Sequence, residues 1–322
     1  MSTHGIRVTQ PGGPERLEWA ALEVPPPGPG EVQLRQTAIG VNFIDVYHRT
    51  GLYPLPLPFT PGAEGAGVVT ALGAGATGFS VGQRVAYVHA GAYAEVRNVP
   101  ADRLVPLPDG ISDAVAASVM LKGMTAEFLL RRCRPVGPGD TLLFHAAAGG
   151  VGQLAVPWAR HLGATVIGVV GRPEKVAVAR AAGAHHVLLQ SPQLVAEVKA
   201  LTGGKGVQVV YDSVGKDTLD ASLDCLAPRG MLVLFGQSSG KPPPLDLQRL
   251  GGPRSLYLSR PSLFAYVADR AELLASSAAL FEVLLRGIVT VAAPTAFPLK
   301  DAAKAHQALE SRATTGSLVL LP

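Results

Sequence analysis

The run Thr141-Leu-Leu-Phe-His145 passes directly into Ala146-Ala-Ala-Gly149-Gly150-Val151-Gly152. A short apolar run closed by alanines and glycines reads as a buried strand ending in a tight turn. The residues that follow predict a helix over 150–162. Ala146, Gly149 and Gly152 carry the spacing A-x-x-G-x-x-G. Small residues there let a backbone approach a pyrophosphate, and the helix start offers N–H donors at the positive end of its dipole. Such a pattern alone also matches ordinary structural turns. A strand before, a helix after and a second βαβ unit beyond select a dinucleotide. Pro157 lies about two turns inside the helix, where proline costs roughly 3 kcal/mol, so a kink is expected.

Outward from this turn, strand and helix alternate. Strands are expected at 165–170, 186–189, 207–212 and 231–236, and a helix at 173–182 with Pro173 in its first turn. Alternation of this kind implies a parallel sheet. Upstream, 114–133 reads as a helix rich in Ala, Leu and Met. Residues 3–99 instead hold β-like runs at 31–39, 67–72 and 84–89, separated by Pro/Gly loops at 25–30 and 53–58. Downstream, helices are expected at 270–286 and 300–312 and a last strand at 317–321. The fold class is therefore α/β, a β-rich part followed by a doubly wound parallel sheet.

Composition agrees with a packed globular protein. Of 322 residues, 48% are hydrophobic and 16% charged, which excludes a disordered chain. The net charge of +4 suits an anionic ligand. The densest basic run, Arg131-Arg132-Cys133-Arg134, reads as a solvated helix end and is too short for a nucleic-acid stripe. Cys133 and Cys225 are the two cysteines, too few for a disulfide framework or a cysteine-rich metal site. The first residues lack an apolar signal core, and 142–159 is broken by glycines, a histidine and a proline. A cytoplasmic protein without a membrane segment is expected.

The second strand decides which dinucleotide. A site for NADH places an acid at that strand's end, on the ribose 2′-hydroxyl. Here Thr165–Val170 ends in Gly171-Arg172-Pro173-Glu174-Lys175. Arg172 and Lys175 attract a 2′-phosphate that a carboxylate would repel, so NADPH is expected. The competing reading makes them surface charges around a helix start, with Glu174 partly neutralising them.

The chain resembles the medium-chain dehydrogenase/reductase superfamily, and within it the zinc-free quinone oxidoreductases of the zeta-crystallin group. The resemblance rests on Gly40-Val-Asn-Phe-Ile-Asp45, Tyr47, Arg49-Thr-Gly-Leu-Tyr53, Pro61-Gly-Ala-Glu-Gly65, Leu121-Lys-Gly-Met-Thr125, Phe144–Gly152, Val210-Tyr-Asp-Ser-Val-Gly215, Ser259-Arg-Pro-Ser262 and Glu310–Gly316. These motifs span essentially the whole chain. The resemblance implies a GroES-like β-rich catalytic domain, residues 1–124 and 261–322, and a Rossmann NADPH-binding domain, residues 125–260, with the cofactor in the cleft between them. It implies that Asn42, Ile44, Asp45, Tyr47, Tyr53 and Thr125 face the nicotinamide half. Gly149, Gly150 and Val151 meet the pyrophosphate, and Gly171, Arg172 and Lys175 the adenosine phosphate. Phe235, Gly236, Ser238, Arg260, Pro261, Ser262 and Arg312 complete the pocket. Relatives often carry a tyrosine near the end of the third strand, where this chain reads Leu188-Leu-Gln190-Ser191. A homodimer is also implied, through an edge strand such as Met231–Phe235.

Zinc enzymes of the superfamily use a cysteine and a Gly-His-Glu histidine at their metal. This chain has Asn42 at the first position and Gly62-Ala63-Glu64 at the second, and zinc normally takes three or four protein ligands. No metal is expected. Without a Lewis acid to stabilise an alkoxide, reduction of an electron-poor acceptor is the easier reaction. Quinone reduction is the leading expectation and reduction of α,β-unsaturated ketones or aldehydes its alternative. From another class, an NADPH-responsive RNA-binding or stress protein would need a basic-aromatic surface. Asn42, Tyr47 and Tyr53 are candidate donors to the acceptor or walls of its pocket, and each could equally be structural. Asp45 and Lys122 are candidates for setting the cleft's electrostatics.

Overall fold

The computed structural model describes residues 2–311 and 316–322, so Arg312 lies outside the described residues. In chain order the elements are β1 Ser2–Arg7, β2 Glu18–Glu23, β3 Glu31–Val41, α1 Phe43–Arg49, β4 Glu64–Leu72, β5 Arg84–Val88, β6 Val96–Pro100, β7 Leu104–Pro106 and α2 Asp113–Phe128. Then come β8 Thr141–His145, α3 Gly152–His161, β9 Thr165–Val170, α4 Val176–Ala181, β10 His186–Leu189, α5 Leu194–Leu201, β11 Val207–Asp212, α6 Leu219–Cys225, β12 Leu226–Leu234 and β13 Tyr257–Ser259. The last are α7 Leu263–Tyr266, α8 Arg270–Leu285, β14 Thr295–Pro298, α9 Ala302–Glu310 and β15 Leu318–Leu321.

The chain forms two compact units, Met1–Lys122 with Asp269–Leu285 and Val291–Pro322, and Gly123–Ala268 with Arg286–Thr290. The divisions fall at 122/123 and 268/269, against the expected 124/125 and 260/261. Residues 261–268 stay with the second unit for a physical reason. Phe128 and Tyr266 stack with centroids 4.4 Å apart, and Arg132 Nη1 donates to Tyr266 O at 2.9 Å.

In the first unit, a seven-stranded sheet runs in the order β14-β15-β3-β4-β5-β7, with β6 also pairing to β3. The expected alternation is present over the first part of β3: Val32, Leu34 and Gln36 are buried between more exposed neighbours, and from Ala38 the strand is buried throughout. The C-terminal strand β15 returns to pair antiparallel with β3, Leu320 opposite Ile39. Ile6, Val8, Leu34, Ile39, Val69, Leu318 and Leu320 fill one core. The sequence pattern does not announce α1. It begins where Asp45 Oδ2 accepts the Asn42 N–H at 2.8 Å, which holds the first turn.

The second unit is a six-stranded parallel sheet in the order β10-β9-β8-β11-β12-β13. The chain moves outward from β8 to β9 and β10, then crosses to β11 on the other side of β8. The order therefore reverses between β8 and β11, where open α/β sheets bind ligands at their carboxyl ends. Leu143, Ile167, Val210, Leu223 and Leu232 lie in its core.

Three expectations are corrected. Met231–Phe235 is not an edge: β12 is flanked by β13, Leu232 opposite Leu258, and β13 forms the outer strand with Tyr257 61% exposed. The basic run does end a helix, with Arg131 exposed, but it is not simply solvated. α2 continues as a π turn over Leu129–Cys133, where buried Glu127 takes Arg132 at 2.9 Å and Arg131 at 3.9 Å, and Asp140 takes Arg134 at 2.8 Å. The helix after the Gly-rich turn starts at Gly152 rather than 150, and it runs through Pro157 to His161.

Candidate active site

The Gly-rich turn has the shape that its sequence requires. β8 ends at His145, and Ala146 takes φ +52°, a left-handed conformation uncommon outside glycine. Gly149 N donates to Ala146 O at 2.8 Å, closing the turn. A Cβ on Gly152 would sit 2.5 Å from Ala147 O and 2.6 Å from Ala146 O, so only glycine fits there. Gln153 N already donates to Gly149 O at 2.9 Å and Leu154 N to Val151 O at 3.1 Å, so the N–H groups that the start of α3 can offer a ligand are those of residues 150–152. A close-packed turn with half-buried residues 149–151 ahead of a helix start fits a pyrophosphate.

At the end of β9, a Cβ on Gly171 would meet nothing within 4 Å, and the residue has no left-handed φ. Neither packing nor backbone demands glycine, so the space beside it is available to a ligand. Arg172 is half exposed, and its ion pair with Glu174 is long, 3.9 Å, with Glu174 itself 65% exposed. The expected neutralisation by Glu174 is thus a weak surface contact. Lys175 closes the same short turn. Gln190 follows β10, its N–H bonded to Val170 O at 2.9 Å, and its buried Oε1 meets no partner.

Across the switch point, Phe235, Gly236 and Ser238 follow β12, and Arg260 follows β13. Phe235 packs against Phe144 with centroids 5.9 Å apart. A Cβ on Gly236 would meet Ser213 O at 2.7 Å. Ser238 N donates to Ser213 O at 3.1 Å, and Arg260 Nη2 to Gln237 Oε1 at 2.8 Å. Pro261 and Ser262 follow directly, Ser262 preceding α7. Thr125 is buried within α2.

In the first unit, Asn42 Nδ2 donates to Glu64 Oε1 at 2.8 Å, Lys122 Nζ to the same oxygen at 3.3 Å, and Leu121 N to Glu64 Oε2 at 2.6 Å. Glu64 is fully buried, and Ala63 beside it is apolar. Lys122 also donates to Ser118 O at 3.2 Å and Val41 O at 3.5 Å. Its ammonium is engaged in this buried ion pair and in two carbonyl contacts. Asn42, Glu64 and Lys122 form one closed, buried hydrogen-bonded set.

Asp45 is likewise wholly buried. Its Oδ2 accepts from Asn42 N and from Tyr93 Oη at 3.2 Å, while Oδ1 has no partner. Burial, chiefly, pushes its carboxyl up to about 7. Tyr93 Oη lies 3.0 Å from His306 Nε2, and Arg49 Nη1 3.1 Å from His306 Nδ1. Arg49 also makes a bidentate pair with Glu310, both contacts 2.9 Å. Burial first, and then Arg49, hold His306 down at about 3, so it is neutral. The guanidinium can only donate, so His306 accepts at Nδ1 and donates from Nε2. No sequence pattern marks Tyr93 or His306 as part of the site, and Arg49 stands in a family motif without a role attached to it.

The remaining residues of α1 and its loop form an aromatic surface. Tyr47 and Tyr53 meet edge to face with centroids 5.2 Å apart, and Phe43 lies 6.3 Å from Tyr47. All three are half-buried, as is Ile44. Two of these rings end in a hydroxyl that can donate.

Residues 28–109 match the alcohol dehydrogenase GroES-like domain family, and residues 150–275 the zinc-binding dehydrogenase family. The chain is 50% identical to a quinone oxidoreductase of Pseudomonas aeruginosa, over 97% of each chain. It is 48% identical to a 2-haloacrylate reductase of a Burkholderia species, over 97% of this chain and 96% of that one. Its structure superposes on that of the Escherichia coli quinone oxidoreductase complexed with NADPH with a TM-score of 0.96, at 46% identity, covering 99% of this chain and 100% of that one. Likeness of this extent, over both domain types, is family membership: the chain belongs to the quinone oxidoreductases of the medium-chain dehydrogenase/reductase superfamily.

Proposed function

We infer that this protein is an NADPH-dependent reductase of quinones that works without a metal. The observation that carries the reading is the turn after β9. It offers Arg172 and Lys175 and, at Gly171, open space where an NADH site would carry an acid. Bound NADPH supplies the hydride. Gly149, Gly150 and Val151 hold its pyrophosphate, Arg172 and Lys175 its 2′-phosphate, and Phe235, Gly236, Ser238 and Arg260 the part beyond. Thr125, in the same unit, is assigned to the nicotinamide end.

The second unit, from Gly123, is the cofactor-binding part and the first unit the catalytic part. The rings of Phe43, Tyr47 and Tyr53 give a flat acceptor an apolar face with hydroxyl donors at its rim. Negative charge develops on the acceptor's oxygen as hydride arrives, and a tyrosine hydroxyl hydrogen-bonds it there. Asp45 and Lys122 act from behind this surface, one anchoring the start of α1 and the other balancing Glu64.

Identity to a 2-haloacrylate reductase favours a second acceptor class, α,β-unsaturated carbonyl compounds, which also take hydride at a conjugated carbon. Nucleic-acid binding has no support, since each arginine of the 131–134 run meets a carboxylate. No described helix is long and apolar enough to cross a membrane. Two free thiols and an NADPH site suit the cytoplasm. A homodimer formed through β13 would cover Tyr257 and Leu258, which are 61% and 39% exposed on an edge strand.

The test is turnover of NADPH and of NADH against a panel of quinones, enones and haloacrylates. Faster quinone reduction with NADPH is expected. Turnover of enones without quinones would transfer the assignment to the second class, and a preference for NADH would overturn the cofactor.

A further inference from the structure

Beneath the switch point, β8 and β11 are tied by side chains as well as by the sheet. Asp212, the last residue of β11, is fully buried with four donors on its carboxylate. Oδ1 accepts from Val214 N at 2.7 Å and Gly215 N at 3.1 Å. Oδ2 accepts from Thr218 Oγ1 at 2.7 Å and Ser222 Oγ at 2.8 Å. Four donors saturate a carboxylate. Because Ser222 gives its proton to Asp212, its oxygen accepts at the remaining contact, 3.0 Å from His145 Nε2. His145 is thereby fixed as the Nε2–H tautomer, and burial keeps it neutral by lowering its pKa.

Each end of this chain of bonds stops at a piece of the dinucleotide site. His145 is the residue before Ala146, whose left-handed φ opens the Gly-rich turn. On the other side, Oδ1 shapes the turn 213–215, and that turn carries the opposite wall. Ser213 O takes Ser238 N at 3.1 Å, Val214 O takes Ser239 N at 2.9 Å, and Asp212 O takes Phe235 N at 2.9 Å. The close approach of Gly236 to Ser213 and of Gly215 to Gln237 leaves this wall no room to drift.

We propose that Asp212 is a positioning residue of the cofactor site, holding the Gly-rich turn through Ser222 and His145, and residues 235–239 through the turn 213–215, in fixed register. Thr218 shares the load, since it donates to Asp212 and accepts from Gly215 N at 3.1 Å. The proposal rests on the NADPH reading above, and it assigns affinity for that cofactor to residues that never touch it.

Asp212→Asn is the informative change. The main-chain donors of Val214 and Gly215 keep the amide oxygen, so its NH2 turns to the hydroxyls. Ser222 must then accept from Asn and donate to His145, which switches to the Nδ1–H tautomer. Nitrogen NMR of the histidines reads that switch directly. Kd for NADPH, from quenching of protein fluorescence, is expected to weaken about tenfold, with KM for the acceptor unchanged. Thr218→Val should weaken it in the same sense, and Thr218→Ser should restore it. These two serve also if the Asp212 variant does not fold. Val198→Ala, a core truncation on α5, should lower Tm and leave Kd unaltered. Equal Kd in Asp212→Asn and the parent, or in Thr218→Val and Thr218→Ser, overturns the proposal. So does a loss of affinity in Val198→Ala that matches its loss of Tm. Failure of the unmodified protein to bind NADPH would instead strike the cofactor reading itself.

Discussion

The Tyr93 hydroxyl donates to Asp45 Oδ2 across 3.2 Å, joining a loop residue of the first unit to the first turn of α1. Because Tyr93 in turn accepts from His306, two buried titratable groups sit at either end of one phenol. Their shifts run in opposite directions. Asp45 rises from 3.8 to about 7, and His306 falls from 6.5 to about 3. Asp45 holds its proton better folded than unfolded. It therefore favours folding most below pH 3.8, and that contribution is lost as pH rises through about 7. His306 favours folding most above pH 6.5, and that contribution is lost as pH falls toward about 3. Over the shared window the two slopes cancel. In Asp45→Asn, stability should fall on acidification below pH 6.5 by about 1.4 kcal/mol per pH unit. In His306→Gln it should fall by the same slope as pH rises from about 4 to 7. Urea unfolding at half-unit pH intervals reads both, and slopes of the same sign in the two variants would contradict the assignment.

The contrast between this pair and the nucleotide turn explains what the sequence could disclose. β8, β9 and β11 lie at the residues their apolar runs indicate, because a strand buried on both faces declares itself locally, and β10, an edge strand, lies where its short apolar run places it. The A-x-x-G-x-x-G turn is local for the same reason. Seven-residue α1 is too short for periodicity. Three-residue β13 is too short for any pattern, so from sequence β12 has the look of an edge. The bonds from Tyr93 to Asp45 and from Arg49 to Glu310 close over 48 and 261 residues. Contacts that distant leave no spacing to read. The motif residues Asn42, Ala63 and Glu64 could be placed only by resemblance, and their hydrogen bonds only by the structure.

Arg49 is the most deeply buried cationic side chain of the first unit among the described residues, 1% exposed. It donates to Gly12 O at 3.1 Å as well as to His306 and Glu310. Removing it leaves the buried His306 imidazole and Gly12 O without their donor, and the one-third-exposed Glu310 without its partner. Arg49→Ala should cost about 3 kcal/mol of unfolding free energy, and Glu310→Gln, whose partner keeps one good acceptor at a third-exposed site, about 1 kcal/mol. Denaturant titration separates the two. Equal losses would mean that the ion pair, rather than the buried guanidinium, carries the effect.

Two glycines of the cofactor side differ in what their side-chain space contains. Gly152 faces two backbone oxygens within 2.6 Å of a Cβ, and Gly171 faces nothing within 4 Å. Gly152→Ala should force the turn open and weaken NADPH binding by at least about tenfold, the scale of one lost charge-assisted hydrogen bond. Gly171→Ala should fold with an unchanged or slightly raised Tm, since alanine narrows the unfolded ensemble where the native backbone accepts it. Thermal unfolding with and without NADPH measures both. Normal ligand-induced stabilisation of the Gly152→Ala variant would show that the turn does not approach the phosphates.

The space at Gly171 also decides cofactor preference. Arg172 is 51% exposed with one long contact to Glu174, so its guanidinium can swing to a 2′-phosphate at little cost. Lys175, three residues on, adds a second cation on the same turn. Arg172→Ala with Lys175→Ala should lower the ratio of kcat/KM for NADPH over NADH by roughly ten- to a hundredfold, one or two charge-assisted contacts at an exposed site. Gly171→Asp acts from the other direction. The carboxylate enters open space without strain, repels the 2′-phosphate and offers an acceptor to a ribose 2′-hydroxyl. It should move the ratio the same way by raising KM for NADPH and lowering it for NADH. The loss for NADPH in the double variant should shrink as salt is raised, because screening weakens the parent's attraction and leaves the variant nothing to lose. A ratio unmoved by either change would place the 2′-phosphate elsewhere and leave Arg172 and Lys175 as surface charges at a helix start.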